Sequence, residues 1–174
     1  MMKKILYIGL VSFIIISCSG RINETHQITS TTALSTPSNK FIEGKVIKIA
    51  DGDTFTLIFK NGFDVRVRLN GIDSPEKKQA FSKRAKQTLS DLIINKDVKV
   101  HYESKDRYGR VLGDVYVGNV NINYEMVRRG MAWHFTRYSE DNILATLEKE
   151  ARNNKIGLWV DSEPVSPWDY RKNN

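Results

Sequence analysis

The chain has 174 residues, 40% hydrophobic and 27% charged, with 11 Gly and 4 Pro, a composition that excludes collagen-like and disordered classes and fits one folded domain. Its 27 Lys and Arg against 20 Asp and Glu give a net charge of +7, which suits an anionic partner such as nucleic acid or a lipid surface. A single cysteine, Cys18, excludes an internal disulfide framework, and the three His leave no Cys/His cluster with zinc-ligand spacing, so any metal must be oxygen-bound.

Lys3 and Lys4 precede a run from Ile5 to Ile16 that is apolar apart from Gly9 and Ser12, the charge-then-apolar layout of a secretory signal. The run is too short to cross a bilayer, which takes about 20 residues of helix. Ile15-Ile16-Ser17-Cys18 resembles the bacterial lipobox, which implies cleavage before Cys18 and attachment of lipid to it. The expectation is a signal peptide over residues 1–17 and an exported lipoprotein anchored to a cell-envelope membrane; the alternatives are a plain secretory signal with a secreted product, or a short uncleaved anchor. Removing residues 1–17 takes two Lys and no acid from the +7 chain, leaving +5. Residues 18–40 read as the lipidated cysteine and a flexible linker, because nine Ser or Thr among the 22 residues from Ser19 to Lys40 leave little surface to bury. Asn23-Glu24-Thr25 matches a glycosylation sequon by chance.

Beyond the linker, Phe41 to Ala50 and Thr54 to Lys60 are rich in Ile, Val, Phe and Thr around the turn residues Asp51-Gly52-Asp53, predicting a hairpin. Asn61-Gly62 leads into Phe63 to Asn70, where Val65, Val67 and Leu69 alternate with Asp64, Arg66 and Arg68, so the two arginines share the polar face of a third strand. Phe81, Ala85, Leu89 and Leu92/Ile93 recur at helical spacing, with Lys83, Arg84 and Lys86 on the wet face. Strands at Val98 to Glu103 and Val111 to Val117 follow, then helices near Asn121 to Met131 and Asp141 to Asn154. The order βββ, α, ββ, α, α predicts an α+β fold: a five-stranded Greek-key barrel of the oligonucleotide-binding type with about three helices, over residues 41–159. Residues 160–174 read as a polar C-terminal tail with Trp168 as a packing anchor, and Trp133 and Trp159 as packing residues.

Polar residues concentrate in three segments: Asp51-Gly52-Asp53-Thr54, Arg68-Leu69-Asn70-Gly71-Ile72-Asp73-Ser74-Pro75-Glu76, and Asp106-Arg107-Tyr108-Gly109-Arg110. Each alone is ordinary: a turn, a strand's wet face running into a helix start, a charged loop. Together they supply what phosphodiester hydrolysis needs, namely a base for water and positive charge at the phosphoryl oxygens. Carboxylates favour a hard cation such as Ca²⁺, and the arginine fork matches two phosphate oxygens. His101 and His134 receive no catalytic role.

In these three ordered segments, over about Phe41 to Trp159, the chain resembles the thermonuclease, or staphylococcal nuclease-like, family. The resemblance implies Ca²⁺ ligands at Asp53, Asp73 and the Ser74 carbonyl. It implies catalytic roles for Arg68, Glu76 and Arg110, with Glu76 orienting or deprotonating the attacking water and the arginines binding the scissile phosphate. Tyr108 matches a tyrosine at the terminal phosphate, and Tyr138 one packed on the base. The chain departs from the family pattern in having Ser74 in place of Thr, a short Lys77-Lys78-Gln79 link where a Lys-rich loop is usual, and Thr136 among the aromatics of Phe135 to Tyr138.

The implied activity is Ca²⁺-dependent endonucleolytic cleavage of DNA and RNA leaving 3′-phosphate ends, by a monomer with no protein partner implied beyond its nucleic-acid substrates and a membrane. A catalytically inactive nucleic-acid-binding lipoprotein of the same fold, and an envelope interaction module using the barrel as scaffold, are the rivals. Cys18→Ala is expected to alter processing and remove the acyl anchor; equal membrane retention of a cleaved Cys18→Ala product, read by fractionation, would refute the lipoprotein expectation.

Overall fold

β-Branched and aromatic residues flanking Asp51-Gly52-Asp53 form the first hairpin, β1 (Phe41–Ile49) antiparallel to β2 (Thr54–Ile58). The computed structural model describes residues 40–174, so the expected signal peptide, Cys18 and nearly all of the expected linker lie outside the described residues. Asn61-Gly62 turns the chain, with Gly62 at φ 85°, into β3 (Asp64–Leu69), which lies antiparallel to β2 with Thr54 opposite Arg68. As the alternation predicts, Val67 and Leu69 are buried while Arg66 and Arg68 stand on the other face.

A short strand, β4 (Ile72–Asp73), precedes α1 (Ser82–Ile93), which buries Ala85, Leu89 and Ile93. β5 (Asp97–Lys105) pairs antiparallel with β1, and β6 (Val111–Val117) with β5. β6 then runs parallel to β3, with Val67 opposite Val111 and Leu69 opposite Gly113. That pairing closes a five-stranded barrel in the order β3-β2-β1-β5-β6, the α+β architecture expected from the element order.

The barrel is filled by Val46, Phe55, Leu57, Val67, Leu69, Val100 and Val115, and α1 and α2 (Ile122–Arg128) extend the same core with Leu89, Ile93, Ile122 and Met126. A two-residue strand, β7 (Val120–Asn121), leads into α2, and β8 (Trp133–His134) pairs with β4. After α3 (Asn142–Asn153), capped by Asp141, a 3₁₀ turn spans Gly157–Val160. A second cluster joins Trp133, Ala151, Leu158 and Trp159 to Phe81 and Trp168, with Trp133 edge-on to both other indoles at 4.4 and 5.6 Å. Trp133 and Trp159 are packing residues, as read from the sequence.

The region after Trp159 departs from expectation. In place of a polar tail, Ser166 caps a fourth helix, α4 (Pro167–Asn173). Pro167 at its first turn is pre-set for helix, and Trp168 lies parallel to Phe135 at 5.1 Å, which fixes the segment on the domain.

Asn123, fully buried on α2, ties the loop after β3 to the barrel. Its Oδ1 accepts the Val115 N–H at 3.0 Å, and its Nδ2 donates to the carbonyls of Asn70 at 2.9 Å and Gly113 at 3.2 Å. Asn123→Ala strands these backbone groups away from water and is expected to cost about 2 to 4 kcal/mol in denaturant unfolding. A loss below about 1 kcal/mol would mean that the groups find other partners.

Candidate active site

The turn between β1 and β2, the loop through β4, and the β5–β6 loop open on one cleft of about 1670 Å³. It is lined by all of the predicted Asp53, Arg68, Asp73, Ser74, Glu76, Tyr108, Arg110 and Tyr138. Gly52 makes the approach possible, because a Cβ there would come within 2.8 Å of the Cβ atoms of both Ser74 and Ala85.

Arg68 is the hub. Its NH1 lies 3.0 Å from Asp53 Oδ2 and donates to the carbonyls of Leu69 and Ile72, while NH2 donates to Asp73 Oδ1 at 2.9 Å. Both carboxylates are buried, and one guanidinium spans them. Asp53 also accepts the Ser74 N–H at 2.8 Å and the Thr54 hydroxyl at 3.1 Å, which locks the β1–β2 turn to the segment after β4. Burial pushes the Asp73 carboxyl upward, against the pull of Arg171 and Arg68.

Across the barrel seam, Arg110 Nε donates to Asp106 Oδ2 at 2.7 Å and NH1 to Thr54 Oγ1 at 3.2 Å. Desolvation works upward on Asp106, but bonds from the Arg110 side chain and from the Arg110 and Tyr108 N–H groups outweigh it and hold the carboxyl below its ordinary range. The stability this contributes is present above about pH 4 and is lost as pH falls through the lowered value. Tyr108 is 72% exposed, its ring 5.5 Å from the Arg110 guanidinium. Tyr138 is also exposed, its ring edge-on to Phe135 at 4.8 Å.

Sequence reasoning missed several cleft residues. Asp51 stands at the mouth, accepting the Asp53 N–H at 3.2 Å. Restricted hydration, then the adjacent Asp53 charge, push its carboxyl up to about 6 even though the residue keeps an open edge to solvent. A raised acid favours the fold when protonated, so its contribution is full below about pH 4 and fades as pH rises through the raised value. Lys83, Arg84 and Lys86, read as a solvated helix face, are exposed but line the rim. Nine Lys or Arg line the cleft against five Asp or Glu, so the cleft as a whole attracts a polyanion although its floor is acidic.

Arg171, from the segment expected to be a tail, reaches Asp73 at 2.8 Å and Glu76 at 2.5 Å. The signal for its helix was present in Ser166-Pro167-Trp168-Asp169: an N-cap, a proline in the first turn and an early acid.

Among the described residues no three His, Cys, Asp or Glu side chains form a ready-made metal cluster. A cation here would draw on two carboxylates, a backbone carbonyl and water, an all-oxygen donor set suited to Ca²⁺. The single span of Arg68 shows that Asp53 and Asp73 lie near enough to share one positive group.

This closed barrel with its cleft of arginines and carboxylates is matched over residues 66–161 by the staphylococcal nuclease homologue family. The chain belongs to that family. It is 45% identical over 141 residues to an uncharacterized endonuclease of Haemophilus influenzae, a match covering 81% of this chain and 79% of that one. It is 44% identical over 131 residues to an uncharacterized endonuclease of Escherichia coli, covering 75% and 85%. A micrococcal nuclease of Shigella flexneri is 41% identical over 150 residues, covering 80% and 86%.

Arg68→Lys keeps the charge but loses the fork that holds two carboxylates and two carbonyls. It is expected to cost about 2 to 3 kcal/mol in urea unfolding. Arg66→Lys, exposed on the same strand face, is expected to stay within about 0.5 kcal/mol. Equal small losses would show that the Arg68 bridge contributes nothing beyond charge.

Proposed function

We propose that this protein is a Ca²⁺-dependent endonuclease that hydrolyses phosphodiester bonds in DNA and RNA and leaves 3′-phosphate ends, working outside the cytoplasm on a lipid anchor at Cys18. The observation that carries the catalytic part is the convergence of Arg68, Glu76 and Arg110 on the cleft that also holds Asp53 and Asp73. The envelope location rests on the N-terminal sequence alone.

Asp53, Asp73 and the Ser74 carbonyl are the ligands in this reading. When bound, the cation supplies positive charge beside the phosphoryl oxygens and makes nearby water more acidic. Glu76, half-exposed at the cleft, orients a water and takes its proton as the oxygen–phosphorus bond forms. The bond from phosphorus to the 5′ oxygen breaks, and that oxygen takes a proton from solvent. Arg110 turns from Asp106 to the phosphoryl oxygens, where its fork meets charge that grows in the transition state, and Arg68 supports the opposite side. Exposed Tyr108, between Arg107 and Arg110, suits contact with a terminal phosphate, and Tyr138 suits contact with a base. A silent binding barrel is the weaker reading, since every reactive side chain it would have discarded is retained.

Labelled DNA and RNA incubated with the purified chain should be cut with Ca²⁺ and left intact with chelator, and the products should need 3′-dephosphorylation before a polymerase extends them. Asp53→Asn should raise the half-saturating Ca²⁺ concentration at least about tenfold, and Arg110→Lys should lower turnover at saturating DNA by about 10² or more. Undiminished cleavage in chelator would remove the metal from the mechanism. Oligonucleotide binding without cleavage under any ion would establish the binding barrel instead.

A further inference from the structure

Asp73 is occupied from two sides. Arg68 holds Oδ1 at 2.9 Å from the polar face of β3, and Arg171, arriving from α4, lies 3.3 Å from Oδ1 and 2.8 Å from Oδ2. The Arg171 guanidinium also takes Glu76 Oε1 at 2.5 Å. It therefore bridges a proposed metal ligand and the proposed water-orienting carboxylate with one positive charge. Asp73 is almost wholly buried, while Arg171 keeps 42% of its side chain exposed, so the arginine is the member of the pair with room to leave.

The attachment of α4 is built, and it is local to the site. The Gln79 side chain accepts the Glu76 N–H at 2.9 Å and donates to the Val165 carbonyl at 2.6 Å, joining the loop that carries Glu76 to the segment that carries α4. Trp168, one turn before Arg171, stacks on Phe135 in the wall of the same cleft. The hydrogen bonds to Asp73, opposed by burial and aided by Glu76, raise the Arg171 guanidinium further above its ordinary range, so it is a permanent cation.

We propose that Arg171 is a tethered competitor for the divalent cation, and that α4 is an autoinhibitory latch which metal entry must release. Asp73 Oδ1 is held by Arg68, which leaves Oδ2 as the oxygen Arg171 takes at 2.8 Å; a cation bound at Oδ2 would meet the Arg171 charge at the same atom, and the two repel each other. The latch rests on the assignment of Asp73 as a metal ligand. A cation that must first displace Arg171 binds with an affinity reduced by the fraction of molecules in which the latch is open.

Calorimetric titration of Ca²⁺ into the full chain, without nucleic acid, tests this. Arg171→Ala should bind Ca²⁺ about tenfold more tightly than the parent, with Arg171→Lys between them. Lys172→Ala removes the same charge from the same helix but touches Asp169 rather than the cleft, and it should leave affinity unchanged. Trp168→Ala, which loosens α4 without touching a carboxylate, should also tighten binding. In the parent, Ca²⁺ should shift the fluorescence contributed by Trp168, obtained by difference from Trp168→Phe. Parent-like or weaker binding by Arg171→Ala, or equal tightening by Lys172→Ala, would overturn the latch while leaving the metal site standing. Absence of Ca²⁺ uptake by both the parent and Arg171→Ala would overturn the metal assignment and the latch together.

Discussion

Two buried carboxylates held side by side are the constraint around which the rest of the cleft is arranged. Asp53 and Asp73 come from different segments, and neither can be stripped of water as an anion without a compensating charge. Arg68 supplies it from β3, reaching both acids and two carbonyls of the loop between them. Its bonds to the Leu69 and Ile72 carbonyls hold that loop against both acids, and Asp53 in turn takes the Ser74 N–H just before Glu76. In Asp51, at the edge of the same turn as Asp53, burial with the neighbouring Asp53 charge pushes the carboxyl up to about 6, and the Arg68 charge is felt only weakly.

The link between Glu76 and α1 is a second place where geometry is set by the site rather than by local preference. Lys78 and Phe81 both adopt positive φ, at 77° and 64°, conformations that cost a residue with a side chain. Gln79 lies between them and bonds both to the Glu76 backbone and to the segment before α4. A short link held in strained conformations thus stands where a long Lys-rich loop was absent from the sequence, and its polar middle residue serves as the tie.

What the sequence made legible was local. The alternation of Val65, Val67 and Leu69 reports a half-buried strand because side chains in a strand point to opposite faces, and the spacing of Ala85, Leu89 and Ile93 reports a helix for the corresponding reason. The turn formers at 51–53 and 106–110 marked the loops that reach the cleft. Less legible were features that depend on chain segments meeting at long range. β4 and β8 are two residues each and pair only with one another, so no periodicity announces them. Arg171 meets Asp73 across 98 positions, and its helix is short enough that its charged residues pass for a solvated end. The rim lysines of α1 look like any wet face until the loops opposite them are in place.

The parallel seam between β3 and β6 has a consequence for when the protein becomes reactive. It brings Val67 opposite Val111, a pairing of residues distant in the chain, while the β1–β2 and β2–β3 hairpins close through short turns. Nonlocal contacts incur a larger loop-closure entropy and tend to limit the rate of folding. Arg68 lies on one side of this seam and Arg110 on the other, with Thr54 touching the second from the strand that neighbours the first. A chain caught before closure carries every reactive side chain and no cleft to unite them. Any capacity of these residues to act together on nucleic acid therefore waits on closure of this seam, and recovery of activity on refolding would time that closure rather than the formation of the hairpins.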